Sequence, residues 1–276
     1  MIHAQIVTDS SANMAGCHQV ASVPLKIITD TKEYIDDANL NTAAMVWDLQ
    51  TYTGKSSTAC PSPQDWLDAF GDAPCVFCIA ITSNLSGSYN AACIAKADYE
   101  QAFPDRKVFV IDSLSTGGEM ELIAEKIQEL MGANLSFEEI CEDIKEYQQH
   151  TGLVFMLESL NNFAANGRVS PAVAKLAGVL GIRIVGKASD QGTLEPTDKC
   201  RGEAKSLSTL VTRLKENGLS KGKVFIAHVS NEQAAVKLKN LICAALPEVT
   251  VEIGENRGLC SYYAELGGLL IGYEKM

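Results

Sequence analysis

The run Thr82-Ser83-Asn84-Leu85-Ser86-Gly87-Ser88 sets four hydroxyls, an amide and a glycine between an apolar stretch, Cys75 to Ile81, and an alanine-rich one, Asn90 to Tyr99. The first reads as a buried strand and the second as a helix packed close to a sheet. Hydroxyls at such a junction outline an anion site. The first-turn N–H groups of a helix have no partner within it, and the helix dipole favours negative charge there. No Lys or Arg lies in the loop, so an anion held there is neutralised by hydrogen bonds alone, which suits a monoanionic carboxylate better than a polyphosphate. The same residues also fit an ordinary Ser or Thr helix cap.

Other hydroxyl clusters share this placement. Thr8-Asp9-Ser10-Ser11 closes the strand-like Gln5 to Thr8, and Ser56-Ser57-Thr58-Ala59-Cys60-Pro61-Ser62 precedes Pro63, which can open a helix at its first position. In open α/β sheets the ligand crevice lies just beyond the strand C-termini, so Asp9 to Ser11 and Thr82 to Ser88 are expected to face one site. Asn166-Gly167-Arg168-Val169-Ser170 and the turn at Gly192 complete the set.

Three motifs fail on context. Gly181 to Ala188 has P-loop spacing, but Ala188 stands where a Ser or Thr should hold magnesium, and Ser189-Asp190-Gln191-Gly192 is a turn rather than a helix start. Cys75 and Cys78 form a CxxC inside a strand, where alternation sends the two sulfurs to opposite faces. His3, His18, His150 and His228 have no metal-ligand spacing, and no serine sits in a GxSxG elbow.

The elements that must position these residues alternate. Strands are expected at Gln5–Thr8, Ser22–Ile28, Cys75–Ile81, Lys107–Ile111, Gly152–Leu157, Ile182–Ala188, Lys223–Val229, Val249–Ile253 and Leu269–Tyr273. Helices are expected at Asn41–Tyr52, Pro63–Phe70, Leu85–Tyr99, Gly118–Met131, Ser136–His150, Pro171–Leu180, Cys200–Glu216 and Asn231–Leu246. This is the pattern of an α/β protein, and a boundary near His150 to Gly152 divides it into halves, 1–150 and 151–276. With 276 residues, 46% of them hydrophobic, the chain can bury substantial cores. No apolar run approaches membrane-spanning length and no cationic leader is visible, so a soluble cytoplasmic protein is expected. Nine cysteines, an odd number, several of them in apolar runs, fit reduced thiols. A net charge of −11 argues against nucleic acid.

The motifs in order, Val7-Thr8-Asp9-Ser10-Ser11, Thr58-Ala59-Cys60-Pro61-Ser62-Pro63, Ser83 to Tyr89, Ile111-Asp112-Ser113, Asn166-Gly167-Arg168-Val169-Ser170 and Lys199-Cys200-Arg201-Gly202, resemble the DegV family of bacterial fatty-acid-binding proteins over essentially the whole chain. The resemblance implies a two-domain α/β fold with mostly parallel sheets. A long-chain fatty acid would lie in a cleft between the domains, its carboxylate on hydroxyls and its tail in an apolar tunnel. It implies Thr58 and Ser86 as carboxylate ligands, with Gly87, Ser83 and Ser11 beside them, and Asp9, Ser10, Gly167 and Arg168 as structural motif residues. It further implies a separate fatty acid kinase as partner, docked at Arg201, and neither a cofactor nor a metal. The sequence departs from the family at Ala59-Cys60 and Ile182-Arg183-Ile184. It departs again at Ala264-Glu265-Leu266-Gly267-Gly268, where Glu265 takes the place of a histidine that supplies a third polar contact. Glu265 then either shares a proton with the bound carboxylate or faces away toward Arg257, Arg201 or solvent.

A carrier of fatty acid is therefore expected. The other reading is an enzyme acting on a small carboxylate or phosphorylated compound, with Asp9, His228 or Glu265 as general base.

Overall fold

A computed structural model of the chain describes residues 3–174 and 181–276. In chain order they form β1 (Ala4–Asp9), β2 (Val20–Val23), β3 (Lys26–Thr29), β4 (Glu33–Ile35), α1 (Thr42–Thr51), β5 (Ser56–Ala59), α2 (Pro63–Phe70), β6 (Cys75–Ala80), α3 (Ser88–Ala102), β7 (Lys107–Asp112), α4 (Gly118–Gly132) and α5 (Phe137–Gln149). There follow β8 (Thr151–Leu157), α6 (Asn161–Ala165), α7 (Pro171–Ala174), β9 (Ile182–Ala188), β10 (Leu194–Arg201), α8 (Glu203–Glu216), β11 (Gly222–His228), α9 (Glu232–Ala245), β12 (Val249–Glu255), α10 (Gly258–Ala264) and β13 (Leu269–Glu274).

The first sheet is parallel throughout, in the order β2-β1-β6-β7. Its central strands are apolar on both faces, as a sheet covered on both sides demands. Alternation sends Ile6, Phe77 and Ile79 into one core with Met120, Ile123 and Ile127 of α4 and Ile140 and Ile144 of α5. Val7, Val76 and Cys78 enter the opposite core, with Trp66 and Phe70 of α2 and Ala91, Ala92 and Ala95 of α3. All nine cysteines are unpaired.

The second sheet, β10-β9-β8-β13-β11-β12, corrects the expectation of mostly parallel pairing, since β11–β12 is its one parallel pair. The last strand, β13, inserts antiparallel between β8 and β11, and β10 returns from β9 as a hairpin. One face packs on α8 and α9 through Leu207, Leu210, Leu238 and Ile242. The other face meets α4, whose first turn lies directly on β13: a Cβ added at Gly272 would stand 2.2 Å from Glu119 N. Helix α4 is thereby held between the two sheets.

The expected strand Ser22–Ile28 divides at Pro24-Leu25, where proline has no N–H to give a ladder. β2 joins the parallel sheet, while β3 enters a small antiparallel sheet with β4 and β5. The first four residues of the hydroxyl-rich stretch before Pro63, Ser56–Ala59, are thus the strand β5. The helix expected from Leu85 starts at Ser88, and the one expected from Cys200 starts at Glu203, because Cys200 and Arg201 end β10. The helix expected over Pro171–Leu180 is described as far as Ala174, and the remainder lies outside the described residues.

Candidate functional site

Asp9 organises the junction at the ends of β1 and β6. Its carboxylate accepts from Ile81 N at 2.9 Å, Ser88 Oγ at 2.7 Å and Ser11 N at 3.2 Å, and also from Ser11 Oγ. It is wholly buried, and burial pushes its pKa upward against these hydrogen bonds. Ser10 Oγ accepts from Leu25 N at 3.0 Å, which fixes the turn after Pro24. The hydrogen bonds of both side chains close within the protein. Ser11, expected at the ligand, is corrected on the same grounds: it is buried, its hydroxyl is spent on Asp9, and it does not line the cavity described next.

That cavity, of about 310 Å³, lies between the two large sheets and the small one. Its walls include Leu25, Ile81, Leu85, Leu153, Phe155, Leu157, Phe163 and Leu270, and polar residues enter it at Thr58, Thr82, Ser86, Ser115, Thr116, Arg168, Thr193 and Tyr263. Long apolar walls with a few polar groups suit an amphiphilic small molecule. Ser86 and Gly87 sit just before α3, whose N-terminus has Gly87 as N-cap and no side-chain cap. Ser86 Oγ accepts from Ser88 N at 3.2 Å, so its own proton remains available to a ligand. Thr58, on β5, also lines the cavity, with its Oγ1 2.8 Å from Tyr263 OH.

Ser83 does not line this cavity. It is exposed in a polar depression outside, which shares Ser86, Gly87, Thr193 and Arg168 with the cavity and also includes Gly167. Arg168 ties its loop to the Ser86 loop, Nε donating to Leu85 O at 3.0 Å and Nη1 donating to Asn166 O. The hydroxyl loop itself has no cation, as read, but the fold brings one to it from some eighty residues away.

Glu265 is corrected as well. It does not line the cavity, and its Oε1 accepts from Ser159 Oγ at 2.8 Å and Asn162 N at 3.1 Å, at the start of α6. Burial raises its pKa, and these hydrogen bonds oppose the rise. The carboxylate thus faces away from the cavity, as one side of the alternative held, but toward the start of α6 rather than toward Arg257, Arg201 or solvent. Sequence reading passed over Tyr263, Thr116 and Cys260. Tyr263 lies in a seven-residue helix without a local cap: α10 is started by Asp36, whose carboxylate accepts from Gly258 N and Leu259 N at 2.8 Å each.

Of the three candidate bases, Asp9 is committed to the junction, Glu265 to α6, and His228 is buried at the end of β11. None lines the cavity. Among the described residues no group of His, Cys, Asp or Glu could hold a metal ion, and no helix is long and apolar enough to cross a membrane. Arg201 is exposed at the end of β10.

Fold and site together define an α/β protein with an apolar cavity whose polar end is built from hydroxyls, a helix N-terminus and a guanidinium. The sequence model of the DegV family, described as uncharacterised protein, matches residues 3–275, and the chain belongs to that family. A DegV domain-containing protein of Streptococcus pneumoniae is 43% identical over 253 residues, covering 92% of this chain and 90% of the relative. Among solved structures, a DegV family protein from Eubacterium eligens loaded with heptadecanoic acid is 42% identical with a TM-score of 0.96, covering 99% of this chain and all of its own. The Streptococcus pneumoniae Fatty Acid Kinase (Fak) B3 protein loaded with linoleic acid is 40% identical with a TM-score of 0.96, and both chains are covered in full.

Proposed function

We propose that this protein binds a long-chain fatty acid and presents it to a separate fatty acid kinase in the cytoplasm. The observation that carries this reading is the cavity itself, apolar along its walls and ending at Thr58, Ser86, Gly87 and the N-terminus of α3. A carboxylate is favoured there by hydroxyl donors, the positive end of the α3 dipole and the nearby charge of Arg168. The tail is favoured by transfer from water, at roughly 0.8 kcal/mol for each methylene buried. Fatty acids held by two relatives of about 40% identity support the ligand class, and the name of one of them supports the kinase. The halves 1–150 and 151–276 would act as two domains that enclose the chain, with exposed Arg201 on the docking face. A carrier fits better than an enzyme because Asp9, His228 and Glu265 all stand off the cavity.

The test is lipid extraction. Organic extracts of the purified protein should contain long-chain fatty acid in near-stoichiometric amount, and fatty acid added to delipidated protein should raise its melting temperature, since the ligand binds the folded state alone. Empty extracts with an unmoved melting temperature would sink the reading. Arg201→Ala should keep its lipid and lose kinase coupling; an unchanged rate of acyl phosphorylation would remove Arg201 from the docking face.

A further inference from the structure

Two consecutive tyrosines of α10 clasp β5. Tyr262 OH lies 2.8 Å from Ser56 Oγ, and Tyr263 OH lies 2.8 Å from Thr58 Oγ1. The two differ in what else they touch. Tyr262 OH also accepts from Asn166 Nδ2 at 2.9 Å and does not line the cavity, so its hydrogen bonds close within the protein. Tyr263 and Thr58 both line the cavity. Their contact uses one of the two hydroxyl protons and leaves the other for whatever occupies that end.

We infer that Tyr263 is a positioning residue for the ligand headgroup, its phenol donating to Thr58 Oγ1 so that the Thr58 hydroxyl donates outward to a carboxylate. This rests on the fatty-acid reading given above. The direction follows from chemistry: a phenol is a stronger acid than an aliphatic alcohol and the better donor of the pair. A hydroxyl that accepts such a bond is itself polarised into a stronger donor. Burial raises the pKa of the phenol and holds it protonated, against the opposing pull of its Thr58 contact and of the charge on Arg168. The ring is fixed between Phe163 and Tyr262, at centroid distances of 4.8 and 4.9 Å, so a phenylalanine at 263 keeps the packing and loses the hydroxyl alone.

The experiment compares a long-chain fatty acid with its methyl ester, which keeps the chain and loses the charge, on wild type, Tyr263→Phe, Tyr262→Phe and Thr58→Ala. Tyr263→Phe should weaken acid binding by about tenfold, the scale of one hydrogen bond in a charge-assisted chain, and leave ester binding unchanged. Because Tyr263 acts through Thr58, the double variant Thr58→Ala/Tyr263→Phe should bind the acid no more weakly than Thr58→Ala alone. Tyr262→Phe should keep the wild-type preference for acid over ester. Unchanged acid binding in Tyr263→Phe, or equal losses for acid and ester, would overturn the inference and leave the fatty-acid reading standing. Wild type that binds neither ligand would overturn both.

Discussion

A buried hydroxyl can serve a ligand only with a proton or lone pair the protein has not used, and this separates the site's serines better than their spacing does. The hydroxyls of Ser11 and Ser88 donate to Asp9, and Ser10 Oγ accepts from Leu25 N while its proton goes to the Asp36 carboxylate. Ser86 Oγ accepts from a backbone N–H and keeps its proton. Ser86→Ala and Thr58→Ala should therefore each weaken fatty acid binding by about 10- to 100-fold, the equivalent of 1.5–3 kcal/mol for a hydrogen bond to a charged group, with the fold intact by circular dichroism. Wild-type affinity in both would leave Ser86 a helix-cap residue and Thr58 a strand residue, with no part in binding. Glu265 has the opposite profile. Glu265→Ala removes the acceptor for Ser159 and Asn162, so it should lower stability on the order of 1 kcal/mol, as loss of a helix cap does, and leave fatty acid affinity unchanged. Calorimetric melting and a binding titration on one preparation separate the two effects. A large loss of affinity would put Glu265 back at the headgroup.

Elements were legible where burial wrote them into the sequence, and hidden where a distant residue made them. The parallel strands and their helices follow from apolar runs that need no partner to be recognised, such as Cys75 to Ala80. β10 does not, because Leu194-Glu195-Pro196-Thr197-Asp198-Lys199 lacks such a run and holds a proline. It survives as an edge strand with its register shifted between Pro196 and Asp198. β5 shows its hydroxyls but not its strand, which comes from pairing with β3, and α10 owes its start to Asp36, more than 220 residues earlier. Packing between neighbouring strands also shapes the cavity. On β9, a Cβ at Gly186 would stand 2.3 Å from Cζ of Phe155 and 2.5 Å from the backbone O of Glu195. Both contacts must open, so β10 is pushed at Glu195 and the Phe155 ring is displaced, and that ring forms cavity wall. Gly186→Ala should cost about 1–3 kcal/mol by overpacking and weaken long-chain binding more than short-chain binding. Equal effects on acids of different length would show that the ring moves away from the cavity.

At the scale of the whole molecule, placing α4 between two sheets buries acids that elsewhere would be solvated. Glu119 is 6% exposed, and Thr151 Oγ1 donates to it at 2.8 Å. Burial pushes its pKa up to about 7, with the positive charge of Lys275 opposing the rise. Glu121, on the same helix, also rises to about 7, from burial first and then from the neighbouring charge of Glu125. Both carboxyls start from 4.5, so between pH 4.5 and 7 the folded chain keeps protons that the unfolded chain has released. The unfolded state binds fewer protons in that window, so stability falls as pH rises through it and levels off above 7. At 1.36 kcal/mol per unit, Glu119 alone contributes a loss on the order of 3 kcal/mol. Buried Asp9 and Asp36, both shifted upward by burial, act in the same direction. Chemical denaturation at a series of pH values should find the protein most stable near pH 5 and weaker by pH 8. Glu119→Gln keeps the size of the neutral acid and cannot ionise, so it should match wild type near pH 5, exceed it at pH 8 and flatten the slope between them. If the two proteins give parallel curves across that range, Glu119 does not hold its proton in the folded state, and the pH dependence belongs to other groups.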